Sequence, residues 1–239
     1  MTTWRRFKIW NHWKLVSRVF GCTLMAMTSE AEHRVAVGKP EDKIRFKSGV
    51  SEFEVANSEY VSTLQSPHLF CGMALQAYCG LIEEHARDIL RELDRIGVQV
   101  SSLLDTKYPT VEERIDHFPP PNGIEDWGSK ILAIVNRSWG DVSPGRAKIV
   151  EVIVVRNALA HGTPEVTRRM LNRLENVGGT IPWKEGEQIQ LNYGSVKDYR
   201  DHLRSFARVL SDATAEAINA HVATQEKAAT SGRRQRNGT

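Results

Sequence analysis

The stretch VVRNALAHGT, residues 154–163, holds the side chains best suited to chemistry in this chain. Arg156, Asn157 and His161 arrive close together, and Gly162 follows at once. A guanidinium is a permanent cation whose planar fork of donors fits an anion. An imidazole changes charge near neutral pH and so can carry a proton. Anion holding and proton transfer are therefore the chemistry on offer. Its setting is unusual, because the run leading into it, KIVEVIVVRNALAH, is the most apolar in the sequence.

A helix is expected to open at Ser143–Pro144 and to carry these residues in its last turn and a half. At about 100° per residue, Ile149, Ile153 and Ala160 share one face, and Val152, Val155 and Leu159 share the adjoining one. Arg156 projects between the two groups. Asn157 and His161 are four apart and lie along one side. A guanidinium with such neighbours must find an anion, or desolvation costs several kcal/mol. Two readings follow from the residues alone. In one, the three polar groups form a site. In the other, Asn157 is a satisfied core amide and Arg156 pairs with Glu83 or Glu84. His161 then meets the carbonyl end of the helix, with Gly162 as the residue that stops it.

The elements that must position these residues read as mostly helical. A helix is expected from a Ser66–Pro67 start to Gly97, with Ala74, Tyr78, Leu81, Ile82, Ile89, Leu93 and Ile96 in one stripe. HFPPPNG, residues 117–123, reads as a loop. A second helix is expected over about Glu125 to Trp139, stopped by Gly140. After the VVRNALAHGT helix, Thr163–Pro164–Glu165 looks like the start of a short basic helix. GGTIPWKEGEQIQLNYG has turn and strand character and reads as an excursion before the last helix. That helix is expected to start at Ser195-x-x-Asp198, with Tyr199, Leu203, Phe206, Leu210, Ala213 and Ala217 in register. Residues 35–57 alternate weakly and suggest a short hairpin or loop.

Composition bounds the rest. The chain has 239 residues, 41% hydrophobic and 26% charged, in the range of an ordinary globular protein. No stretch approaches the ~20 apolar residues of a membrane span. Cys22, Cys71 and Cys79 are scattered and odd in number, which points to a reducing cytoplasm and not to disulfides. No close cysteine–histidine set suggests a metal, and no cofactor is expected. The net charge of +3 is unevenly spread. Residues 1–27 carry +5 and residues 223–239 carry +3, leaving the body, 28–222, at −5. A broad basic nucleic-acid surface on the body is thus excluded, and any such contact must be local.

Near the N-terminus, Trp4, Phe7, Trp10, Trp13 and Val16 fall at steps of three with basic residues between them. The pattern would suit a helix on a membrane surface. Arg18 breaks the apolar stretch after Lys14, which argues against a signal peptide. The simplest expectation is an extension outside the fold, with Met25 or Met27 as alternative starts. Three regions are therefore expected: a basic or irregular extension over 1–50, one helical domain over 51–222, and a disordered basic tail over 223–239.

The string RNALAHG, residues 156–162, resembles the R-x(4–6)-H signature of HEPN domains, and the likeness covers about residues 58–222. It implies an all-α, HEPN-like helical bundle with a turn-rich excursion before the last long helix. It implies a metal-independent endoribonuclease, a toxin or an effector of phage defence or RNA processing. Active members dimerise so that two motifs form one cleft. Carried over, Arg156 and His161 are the catalytic pair and Asn157 orients the motif. Arg168, Arg169 and Arg173, just past it, are candidates for RNA phosphate contacts, with a solvated helix face as their alternative. The implied partners are RNA, a second copy of the chain and an antitoxin or defence-system protein, with no membrane. A non-catalytic HEPN-like module that binds RNA, nucleotide or a protein stays open beside the enzyme, as does a plain helical interaction protein.

Overall fold

The computed structural model describes residues 7–49, 51–119, 123–160 and 164–236, and the chain in it is mainly helical. Helix α1, Ile9–Val37, corrects the expectation that residues 1–50 stand outside the fold. Phe7, Ile9, Trp10, Trp13 and Phe20 are buried. Their spacing does make one apolar stripe, but it faces the protein's own core and not a membrane. A hairpin follows, β1, Lys43–Ser48, paired antiparallel with β2, Ser51–Ala56. Ile44 and Val55 are cross-strand partners and both are buried, so the weak alternation in the sequence was a real strand signal. Helix α2, Asn57–Gln65, packs beside α1.

Helix α3, His68–Arg95, lies at the centre. It packs against α1 and against two later helices, α6, Arg146–Ala160, and α8, Tyr193–Arg236. These neighbours, with a further short helix at its C-terminal end, explain its wide apolar face. Leu75, Tyr78, Cys79, Ile82, Ala86, Ile89, Leu90 and Leu93 are all buried, more than a single stripe would supply. On the α1 side, the Trp13 and Tyr78 rings lie 5.0 Å apart and those of Phe20 and Phe70 5.3 Å apart. The Tyr78 hydroxyl donates to Ser17 Oγ at 2.9 Å. The helix stops at Gly97 as expected. Gly97 has φ +80°, and the Val98 N–H reaches back to the Leu93 carbonyl at 3.0 Å. Its start differs, since Pro67 is the cap residue and no Ser66 side chain bonds the first turn.

Between α3 and α6 come two short helices, α4, Val111–Asp116, and α5, Ile124–Ile134. Helix α5 ends five residues short of the expected Trp139. Asn136 takes φ 54°, and the Arg137 N–H bonds the Leu132 carbonyl at 2.8 Å. Asparagine thus fills the left-handed stop position usually signalled by glycine. Trp139 then turns back over α5 and stacks on Phe206 of α8, 5.3 Å between centroids.

Helix α6 begins at Arg146, after Ser143–Pro144, and Ile149–Val155 are buried all round. Helix α7, Arg168–Glu175, is capped by Thr167, whose Oγ1 accepts from Met170 N at 3.4 Å. The expected cap, Thr163, lies outside the described residues. Residues 178–192 hold no named strand, and an isolated bridge joins Glu165 to Gln188. Asn192, not Ser195, caps α8, its Oδ1 accepting from Ser195 N at 2.9 Å. The expected stripe of α8 is present, with Tyr199, Leu203, Phe206, Leu210 and Ala213 buried. Helix α8 also runs through most of the expected disordered tail, to Arg236. The sequence HVATQEKAAT contains good helix formers and no proline, so nothing stops the helix there.

His85 of α3 closes the packing among α1, α3 and α8. It is buried, with Phe7 edge-on to its ring at 5.2 Å. Its Nε2 lies 2.8 Å from Ser211 Oγ and 3.3 Å from the Ala207 carbonyl oxygen. Burial lowers its pKa from 6.5 to about 4, against a smaller opposing effect of the Ala207 carbonyl. The folded chain therefore refuses a proton that the unfolded chain accepts. The contribution is fully present above pH 6.5 and is lost as the pH falls toward 4. We expect roughly 3 kcal/mol of stability to depend on this ring. The urea-unfolding free energy of the chain minus that of His85→Gln should fall steadily between pH 7 and pH 4.5. A difference that stays flat over that range contradicts a buried neutral His85.

Candidate functional site

Arg156 and Asn157 sit one turn before the C-terminal end of α6, where the helix emerges from its buried stretch. Both side chains are partly buried. The α3 and α6 chains run antiparallel here. A Cβ on Gly72 would lie 3.5 Å from Leu159 Cδ1, while Arg156 meets Glu83 farther along α3. The guanidinium is held from two sides. Nη2 donates to Glu83 Oε1 at 3.2 Å, and Nη1 donates to Asn157 Oδ1 at 2.9 Å. Its Nε is buried without a partner among the described residues. About a quarter of each charged side chain remains exposed, 27% for Arg156 and 29% for Glu83, so solvent or a ligand can reach the pair.

Of the two carboxylates considered from sequence, Glu83 is the partner. Glu84 faces away and binds Arg87 Nη2 at 2.6 Å, with Arg91 at 3.9 Å. Cys79, one turn before Glu83, also borders the site, a placement the sequence did not suggest. Burial pushes its thiol up to about 12, with Arg156 pulling the other way. Cys79 is therefore a neutral packing group and no nucleophile. His161 and Gly162 lie outside the described residues, so the structure gives the arginine and the amide of the motif but not the imidazole.

The three arginines past the motif differ from one another. Arg168 is exposed and 3.7 Å from Glu185. Arg169 is exposed and makes no ion pair among the described residues. Arg173 is instead built into the fold. Its Nε and Nη2 grip the two oxygens of Glu125 at 2.6 and 2.7 Å, tying α7 to α5. Burial works to raise the Glu125 pKa, but the hydrogen bonds from Arg173 and the backbone and the charges of Arg173 and Arg146 together outweigh it and hold the carboxyl below its usual range. A bidentate, partly buried pair of this kind leaves Arg173 little freedom for phosphate. Arg168 and Arg169 keep the freedom that Arg173 has lost.

Two further features bear on the site. The stripe Leu69, Met73, Gln76, Gly80, Glu83 runs along the outer face of α3 at steps of four and three. Leu69 and Met73 are well exposed at its N-terminal end. Glu151, a carboxylate inside the apolar run of α6, is buried but faces another part of the molecule. Among the described residues no group of histidine, cysteine and acidic side chains could hold a metal. No helix among them is long and apolar enough to cross a membrane. No protein-family model, curated protein or solved structure matches the chain.

A double-mutant cycle tests whether the seam between α3 and α6 depends on this ion pair. Arg156→Ala, Glu83→Ala and the double variant should show a coupling of about 1 kcal/mol in urea unfolding. Strictly additive losses would mean that the two charges are each solvated and do not join the helices.

Proposed function

We propose that the chain is a metal-independent endoribonuclease of HEPN type, in which Arg156 holds the scissile phosphate and His161 moves the proton. The observation that carries this reading is the held guanidinium. Arg156 is a part-buried cation fixed by Asn157 at the end of α6, beside the residues that complete RNALAHG. In the reaction, the RNA 2′-hydroxyl gives its proton to an imidazole and attacks the neighbouring phosphorus. The bond to the 5′-oxygen breaks, and that oxygen takes a proton from a second imidazole. The products are a 2′,3′-cyclic phosphate and a 5′-hydroxyl. Arg156 stabilises the charge that grows on the phosphoryl oxygens. Asn157 keeps its neighbour's guanidinium oriented, which leaves Arg156 poised as a donor.

One chain supplies a single arginine–histidine pair, so the second imidazole comes from a second copy. A homodimer that covers the exposed Leu69–Met73 strip would bring two α6 ends together. Arg168 and Arg169 give such a cleft local positive charge on an otherwise acidic body. An RNA substrate belongs in the cytoplasm, and an enzyme of this kind acts as a toxin or a defence or RNA-processing effector. An antitoxin or defence-system protein is then the natural controlling partner.

The Arg156–Glu83 pair favours a second reading, a non-catalytic HEPN-like module that binds RNA, nucleotide or protein. There the pair is a helix tie, and the guanidinium is already neutralised. Catalysis needs the phosphate to displace Glu83 or share Arg156 with it.

Incubation of purified protein with mixed-sequence RNA separates the two. The enzyme reading expects cleavage that persists in EDTA and leaves cyclic phosphate ends. Arg156→Ala and His161→Ala should each lower the rate by about two orders of magnitude or more. They should shift stability by only about 1 kcal/mol. Intact RNA with wild-type protein, together with a large fall in melting temperature for Arg156→Ala, assigns Arg156 to structure alone.

A further inference from the structure

The nuclease reading makes no use of Glu151, although it is 4% exposed in the middle of α6. Its oxygens are held by Tyr199, whose hydroxyl donates to Oε1 at 3.1 Å, and by Lys148, whose Nζ donates to Oε2 at 2.7 Å. A cavity of about 390 Å³ opens beside this cluster. It lies where the first turns of α6 and α8 meet the loop at 180–183, part of the excursion that the sequence left without a role. Trp183 forms one wall, and Asp198 and His202 of α8 complete the polar lining.

The charges of this cavity favour a cation. Lys148 supplies one positive charge, while Glu151 and Asp198 supply two negative ones. His202 adds none at neutral pH, because burial lowers its pKa. The Asp198 carboxylate is exposed and has no hydrogen bond or ion pair among the described residues. Two aromatic residues, Trp183 and Tyr199, also line it. Carboxylates beside aromatic faces are the usual surroundings of an organic cation. The cavity already holds one ammonium group, that of Lys148, on a side chain that is 45% exposed.

We propose that this cavity binds a small organic compound with a primary ammonium group and an aliphatic body. The ammonium pairs with Asp198 and, by exchange with the Lys148 Nζ, with Glu151. The aliphatic body lies against Trp183. An anionic ligand is disfavoured, since the one cation among the described lining residues is already held by a buried carboxylate. The site is separate from Arg156 and does not depend on nuclease activity.

Calorimetric titration of the full chain with n-butylammonium chloride tests the proposal, with 1-butanol as the uncharged control. The expected result is saturable one-to-one binding of butylammonium and none of butanol. Asp198→Asn and Trp183→Ala should each weaken binding about fivefold. Lys148→Met should tighten it by removing the resident competitor. If that variant does not fold, the exposed Asp198→Asn still decides the matter. Absence of saturable binding at millimolar butylammonium overturns the proposal. So does binding that Asp198→Asn and Trp183→Ala leave unchanged, which would reflect only general attraction to an acidic surface.

Discussion

Everything in this fold depends on covering helix α3. A helix with apolar residues around more than half its circumference cannot be satisfied by one neighbour. Here α1, α6 and α8 share the task, and each does so with a different kind of residue. Helix α1 brings large aromatics, Trp13 and Phe20. Helix α6 brings β-branched residues, Val152 and Val155, and α8 brings Phe206, Leu210 and small alanines. The burial of α3 explains the failure of α1 to behave as a detached extension.

The same constraint places the candidate site. At its C-terminal end α6 leaves the deepest part of the core, and polar residues appear where packing loosens. Arg156 emerges at the seam with α3 and is met by Glu83 and Asn157. A charge here is neither fully solvated nor fully enclosed. That intermediate setting suits a phosphate-binding group, and it also suits an ion pair that joins two helices. The two proposed readings differ in what Arg156 prefers, Glu83 or a phosphate.

Much of this was legible in the sequence. The helical body followed from three- and four-residue spacing, and the α3 stripe and its Gly97 stop were visible directly. Glu83 was one of two offered partners for Arg156. What escaped was information that only tertiary packing carries. The Trp-rich stripe of α1 has the same spacing on a membrane or on a core, so periodicity alone could not tell them apart. Asn136 ends α5 in a conformation usually signalled by glycine, and Asn192 takes the capping role that Ser195 seemed to hold. Arg173 looked like its neighbours until Glu125, 48 residues away, appeared beside it. Glu151 did leave a signal, a lone carboxylate within KIVEVIVV, but its partner Tyr199 is 48 residues away.

Amide hydrogen exchange tests the central claim, that α1 is part of the core that encloses α3. Opening α1 exposes Tyr78, Ile82 and the Trp13 ring together, so the two helices should open as one unit. Amides from Trp13 to Phe20 should then exchange as slowly as those from Tyr78 to Ile89. Exchange of the α1 amides within seconds, while α3 stays protected, would contradict the account and return residues 1–37 to the status of an attached but separate segment.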